Sequence, residues 1–149
     1  MRNRNEIPAE LKWDFTHIFK TKEDWEKAYS ELESEISALS ALKGTLGESA
    51  DSLAKAYDTL FGFYEKFEPV ADYAFLKKTV DGGDSEAQAM GDRVNMLAVK
   101  ASSAAAFFDP ELMEIPEEKL AEFMKSDKMK KYAHIVEDAT RLRAHVLDE

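Results

Sequence analysis

The chain has no cysteine among its 149 residues. Disulfides, thiolate nucleophiles and cysteine-based metal sites are therefore excluded. Glycine and proline are scarce, at six and four residues, which leaves few places where a regular element must stop. Histidine is scarcer still: His17, His134 and His145 are the only three. A zincin needs two His four apart on one helix with a Glu between them, HExxH, and no pair here has that spacing. The longest uncharged stretch, Ala101 to Phe108, is far too short to span a bilayer. Arg2 and Arg4 are not followed by the apolar run of a secretory signal. Cytoplasm is the expected address.

Basic residues are outnumbered. Lys and Arg total 20 against 30 Asp and Glu, a net charge of −10. Nucleic acid needs a basic face, and anionic lipid needs a basic patch, so neither is an expected partner. What is abundant is ordinary for a soluble globular chain: 44% hydrophobic and 34% charged residues. A chain of this length can bury roughly 70% of the surface it exposes when unfolded, enough for one domain.

The periodicity is helical throughout. Residues 1–20 read as an irregular arm, rich in Ile7, Leu11, Trp13, Phe15, Ile18 and Phe19 and broken by Pro8. Thr21 with Asp24 forms a capping box. Trp25, Ala28, Tyr29, Leu32, Ile36 and Leu39 then keep one helix face, and Gly44 and Gly47 stop it. Ser49 or Asp51 starts a second helix with an aromatic stripe, Leu53, Ala56, Tyr57, Leu60, Phe61, Tyr64 and Phe67. The phase continues past Pro69 through Val70, Tyr73, Ala74 and Lys77, which predicts one long kinked helix or two nearly collinear ones. Asp81-Gly82-Gly83-Asp84 is a turn. Ser85 with Gln88 caps a third helix through Ala87, Met90, Val94, Leu97, Ala98, Ala101, Ala105 and Phe108. Its small residues allow close approach of a neighbour. Pro110 and Pro116 each stand where a first helical position is expected. Short helices are predicted near 110–114 and 117–125, and a last one over about 127–143 using Met129, Tyr132, Ile135, Val136, Ala139 and Leu142. No stretch alternates with period two. The expected fold is all-α: an antiparallel helical bundle with two long central helices and shorter C-terminal helices, one domain over 1–149 with the arm at 1–20 and the bundle at 21–149.

Four constellations could carry chemistry. His134-Ile135-Val136-Glu137 places His and Glu on one helix face. Carboxylate-bridged metal bundles use the reverse order, in two copies, with further Glu residues. The plainer reading has Glu137 facing water and pairing with Arg141. Asp81-Gly82-Gly83-Asp84 lacks the alternating oxygen ligands of a cation loop, and Gly82-Gly83 lacks the strand and Lys of a phosphate loop. The stripe Tyr57, Phe61, Tyr64, Phe67, Tyr73 reads as core rather than a ligand box. Phe63, Phe75 and Phe107 fall off the stripes and suggest contact with something beyond this chain. No catalytic, cofactor-binding or metal residue is assigned.

A set of ordered phrases adds to this. Arg4-Asn5-Glu6-Ile7-Pro8 is followed by Trp13-Asp14-Phe15-Thr16 and Ile18-Phe19. Later come Leu42-Lys43-Gly44-Thr45-Leu46-Gly47, then Asp84-Ser85-Glu86-Ala87-Gln88-Ala89. Next are Phe107-Phe108-Asp109-Pro110-Glu111-Leu112 and Ile115-Pro116-Glu117-Glu118-Lys119-Leu120. The passage from Tyr132 to Leu142, with Arg141, Arg143, His145 and Leu147, closes the set. Together they resemble the amino-terminal part of oligoendopeptidase F-type (M3 family) zinc metallopeptidases. Phe15 and Phe19 depart from the usual Leu and Tyr, and Ala144 stands where Pro often precedes the His.

The resemblance implies a cytoplasmic enzyme that hydrolyses short peptides. Zinc would sit in a catalytic domain outside this chain. This part would pack on that domain, scaffold it and wall the substrate channel, without catalytic residues. The end at Asp148-Glu149 fits a stretch that stops before an acidic helix. The expected partners are that catalytic domain and short peptide substrates, with self-association of the fragment through its exposed apolar face. The alternative is a free-standing α-helical protein-interaction module; a third reading is a small metal bundle using His134 and Glu137.

Overall fold

The computed structural model describes residues 6–141, the side chain of Ala9 aside. The expected all-α fold is found, and no strand occurs among the described residues. The described part of the arm includes short 3₁₀ turns at Ala9–Leu11 and Phe15–His17. Among the described residues six α-helices follow: α1 (Lys22–Ser40), α2 (Ala50–Val80), α3 (Ser85–Ala105), α4 (Phe108–Glu114), α5 (Glu117–Phe123) and, after a 3₁₀ turn at Asp127–Tyr132, α6 (Ala133–Arg141).

The predicted starts hold with small shifts. Thr21 Oγ1 accepts from Asp24 N and Asp24 Oδ2 accepts from Thr21 N, both at 3.1 Å, which closes the capping box. Ser49 rather than Asp51 caps α2, its Oγ accepting from Ser52 N at 3.0 Å. At α3 the cap lies one residue earlier than predicted: Asp84 Oδ1 accepts from Glu86 N and Ala87 N, and Gln88 Nε2 donates to Gly82 O. A carboxylate outcompetes a neighbouring hydroxyl at a positive helix end. α2 runs through Pro69 as one helix. Pro110 sits in the third position of α4, and Pro116 just before α5, rather than at first helical positions. The last predicted helix begins as a 3₁₀ turn, and its residues 142–143 lie outside those described.

The chain forms two compact units. The first comprises 1–34 and 64–99, the second 35–63 and 100–149. In the first, Trp25 is fully buried and stacks on Tyr29 with ring centroids 5.4 Å apart. Its Nε1 donates to Val70 O at 2.8 Å, so the indole's one polar group is satisfied within the core. Leu32, Val70, Tyr73, Ala74, Met90, Val94 and Leu97 complete that core. Here α2 and α3 run antiparallel on either side of the 81–84 turn: Lys78 faces Asp92, and the Phe75 ring lies against Gly91. The Arg93 guanidinium donates twice to Glu26, at 2.7 and 2.8 Å, while lying over the Tyr29 ring at 4.2 Å. That fork holds the Glu26 carboxyl below its usual range.

In the second unit, Leu46, Leu53, Ala56, Leu112 and Met129 are fully buried, flanked by Tyr57, Phe108, Leu120, Phe123, Tyr132 and Val136. Tyr57 is its hub. Its ring lies 4.7 Å from Tyr132, 5.0 Å from Phe108 and 5.9 Å from Phe61.

Candidate functional site

Two features of the second unit gather charged side chains. The first is a cleft of about 630 Å³ where the α1–α2 loop meets α4 and α5. Its apolar wall is Phe107, Ile115 and Pro116, and Lys43, Glu114 and Lys119 stand around it. Glu111 fixes its shape. One carboxylate oxygen accepts from Gly44 N and the other from Leu46 N, each at 2.7 Å. Gly44 has φ +85°, a left-handed conformation that glycine adopts without strain. The Gly44 and Leu46 N–H groups on either side of Thr45 form a concavity suited to an anion, and Glu111 fills it. Glu111 is therefore committed to the backbone, not displayed for acid–base work.

The second feature is Asp58 on α2, which accepts hydrogen bonds from Lys131 Nζ and Tyr132 Oη. Those two donors hold the Asp58 carboxyl below its usual range. The neighbouring Tyr57 hydroxyl is pushed up to about 12 by burial, with the Asp109 carboxylate and Tyr132 adding to the effect. Lys128 pairs with Asp51 at 2.9 Å, one residue pair further along the same contact. Asp51 and Asp58 are seven residues apart and share a face of α2, so the pattern is a charge seam that fixes the 3₁₀ turn. It contains no nucleophile set against a base.

The residues singled out from sequence are scattered. His17 is exposed on the arm, 3.6 Å from Asp14. His134 is exposed on α6 and lies 3.7 Å from Asp138, while Arg141 pairs with Asp138 rather than with Glu137. The expected Glu137–Arg141 contact is replaced because Asp138, three residues before Arg141, lies within its reach. His145 lies outside the described residues. Among the described residues no three His, Asp or Glu side chains converge to hold a metal ion. Asp81 to Asp84 form a helix-to-helix turn whose carboxylates serve backbone N–H groups.

The aromatic expectations need correction. Phe63, assigned to an outward surface, is 2% exposed. Phe61 and Tyr64, assigned to the core, are exposed, whereas Phe75 stands outward as expected. A helix buried on more than one side lets the stripe rotate, so the phase alone misplaces residues at its edge. Of the arm's aromatic residues, Trp13 is 69% exposed, while Phe15 and Phe19 pack, edge-on, against Tyr73. Glu111, Asp58 and Arg93 carried no signal in the sequence, because their partners are 64 or more residues away.

Comparison with known proteins shows what this scaffold resembles. The family profile described as Oligopeptidase F matches residues 111–149. Oligopeptidase PepF of Bacillus subtilis is 34% identical over 148 residues, covering 99% of this chain and 22% of that protein. The plasmid-borne oligoendopeptidase F of Lactococcus lactis subsp. cremoris is 31% identical over 150 residues, covering 99% of this chain and 25% of its own length. The chain is similar to oligoendopeptidase F proteins along nearly its whole length. It spans about a quarter of the length of the curated relatives it matches, consistent with an amino-terminal part. Among solved structures, oligoendopeptidase-F from Enterococcus faecium superposes with TM-score 0.75 at 29% identity, over 86% of this chain and 26% of that one. A structure described as a putative peptidase from Chlamydophila abortus has TM-score 0.83 over 99% of this chain and 25% of its own, at 21% identity, and so shares the fold. No described helix of this chain is long and apolar enough to cross a membrane.

Proposed function

We propose that this chain is the helical, non-catalytic part of a cytoplasmic zinc-dependent oligoendopeptidase, in which it packs on the catalytic part and walls the channel that admits short peptides. The observation that carries this reading is the match to named peptidases along nearly the whole chain, of which it makes up only about a quarter. The internal geometry agrees with a structural role. Its best-placed carboxylates, Glu111, Asp58 and Glu26, are each bound to partners within their own unit. The residues described here bring together no ligand set that fits zinc, so in this reading the metal and the water it activates belong to the remaining part of the polypeptide.

The test is complementation in trans. The purified chain and the rest of the polypeptide, produced separately, are assayed alone and mixed on a short fluorogenic peptide. The chain alone should be inactive, and mixing should restore chelator-sensitive cleavage. Chelator-sensitive turnover by the purified chain alone would overturn the proposal. So would a remaining part that cleaves peptides equally well, with the same upper limit on peptide length, whether or not this chain is present.

A further inference from the structure

We infer that the remaining three-quarters of the polypeptide covers the first unit rather than the second, through Leu11 and Trp13 of the arm and Met96 and Val99 of α3; this rests on the functional reading above. Among the described residues, large apolar side chains stand exposed very unequally in the two units. Leu11, Trp13, Met96 and Val99, at 72, 69, 61 and 66% exposure, all belong to the first. Among the described residues of the second unit, the exposed large apolar side chains are Phe61 and Ile135, each 39% exposed, and Phe61 is stacked on Tyr57 and Tyr132.

The arm is not a loose tail that happens to carry a tryptophan. Phe15 and Phe19 meet the Tyr73 ring edge-on at 6.0 and 5.5 Å, and Asp14 accepts from Thr16 N and Oγ1. Trp13 thus sits next to a capped turn and two anchored rings, with its own ring left to solvent. Met96 and Val99 are three residues apart, so they share one face of α3. Tryptophan and methionine are enriched at protein interfaces, and a few such anchors carry most of the binding. The occupant follows from the length relation. In the Enterococcus faecium structure this same fold is 26% of a single chain, so three-quarters of that chain remains to cover it.

The test measures binding of the 149-residue chain to the separately produced remainder of the polypeptide by calorimetry. The Met96→Glu/Val99→Glu double variant and Trp13→Ser should each weaken binding at least about tenfold. Their helical circular dichroism and melting should match the parent's, since neither change touches a buried side chain. Ile135→Glu on the second unit should bind within about twofold of the parent, below what an anchor residue contributes. Unaltered binding by the first-unit variants, or an equal loss from Ile135→Glu, overturns this assignment while leaving the functional reading intact. Absence of binding by the parent chain overturns both.

Discussion

Glu111→Ala tests the cleft most directly. The carboxylate accepts two hydrogen bonds of 2.7 Å, from Gly44 N and Leu46 N, across 65 or more residues of sequence. A hydrogen bond to a charged group contributes about 1.5–3 kcal/mol when its partner would otherwise be left dry. The Gly44 bond is exposed, so water replaces most of it; the Leu46 bond is partly buried, so that N–H keeps most of its desolvation cost. Alanine's better helix propensity in α4 returns only a few tenths of a kcal/mol, since both residues are good helix formers. The net loss should be about 2 kcal/mol, which for a chain of this size lowers Tm by roughly 4–8 °C. Glu111→Gln, which keeps one good acceptor, should lose about half as much. Glu114→Ala, on the same helix and exposed, should stay within about 0.5 kcal/mol. Thermal unfolding followed by circular dichroism at 222 nm checks all three. If Glu111→Ala melts within about 1 °C of the parent, or no lower than Glu114→Ala, the clamp does not hold the loop and the reasoning fails.

The two tryptophans should separate cleanly in fluorescence. Trp25→Phe leaves Trp13, which should emit at long wavelength and be quenched readily by acrylamide; Trp13→Phe leaves Trp25, which should emit at short wavelength and resist quenching. Reversal of that order would contradict the burial assigned to them. Tyr57 gives the alkaline limb of stability. Its folded value of about 12 lies above its ordinary value of 10, so its contribution is complete below pH 10 and is lost as pH rises from 10 through 12. Tyr57→Phe should flatten urea-derived stability across that window, and an unchanged slope would show that burial does not hold the proton. Asp58 works in the opposite direction: its contribution is complete above the ordinary carboxylate value of 3.8 and lost as pH falls through its lower folded value.

The helices were legible because their signals are local. Thr21 with Asp24, the Asp81–Asp84 turn and the Trp25–Leu32 face each act within about two turns of helix, so periodicity and capping identify them. Where two local solutions competed, the order was lost: Asp84 and Ser85 are both good caps, and only the folded turn shows that the carboxylate takes the two N–H groups. Sidedness was less legible. Phe63 and Phe61 are two residues apart, and which one turns inward is set by helices packed against α2 from other parts of the chain. The polar fixtures were not legible at all. Glu111, Asp58 and Arg93 find partners through the fold, and nothing in their own neighbourhoods distinguishes them from surface charges.

The division into units has a consequence for how this chain can be made and cut. Each unit is assembled from two stretches separated in sequence, 1–34 with 64–99 and 35–63 with 100–149. The boundaries fall inside α1, α2 and α3 rather than in the turns between them. No single scission releases an intact unit, and a ribosome must emit residue 99 before the first can close. Each unit pays the entropy of closing a loop of about 30 residues or more before its core rewards it. Cooperative folding of residues 6–141 is then expected, with truncation at any of the three crossings damaging both cores at once.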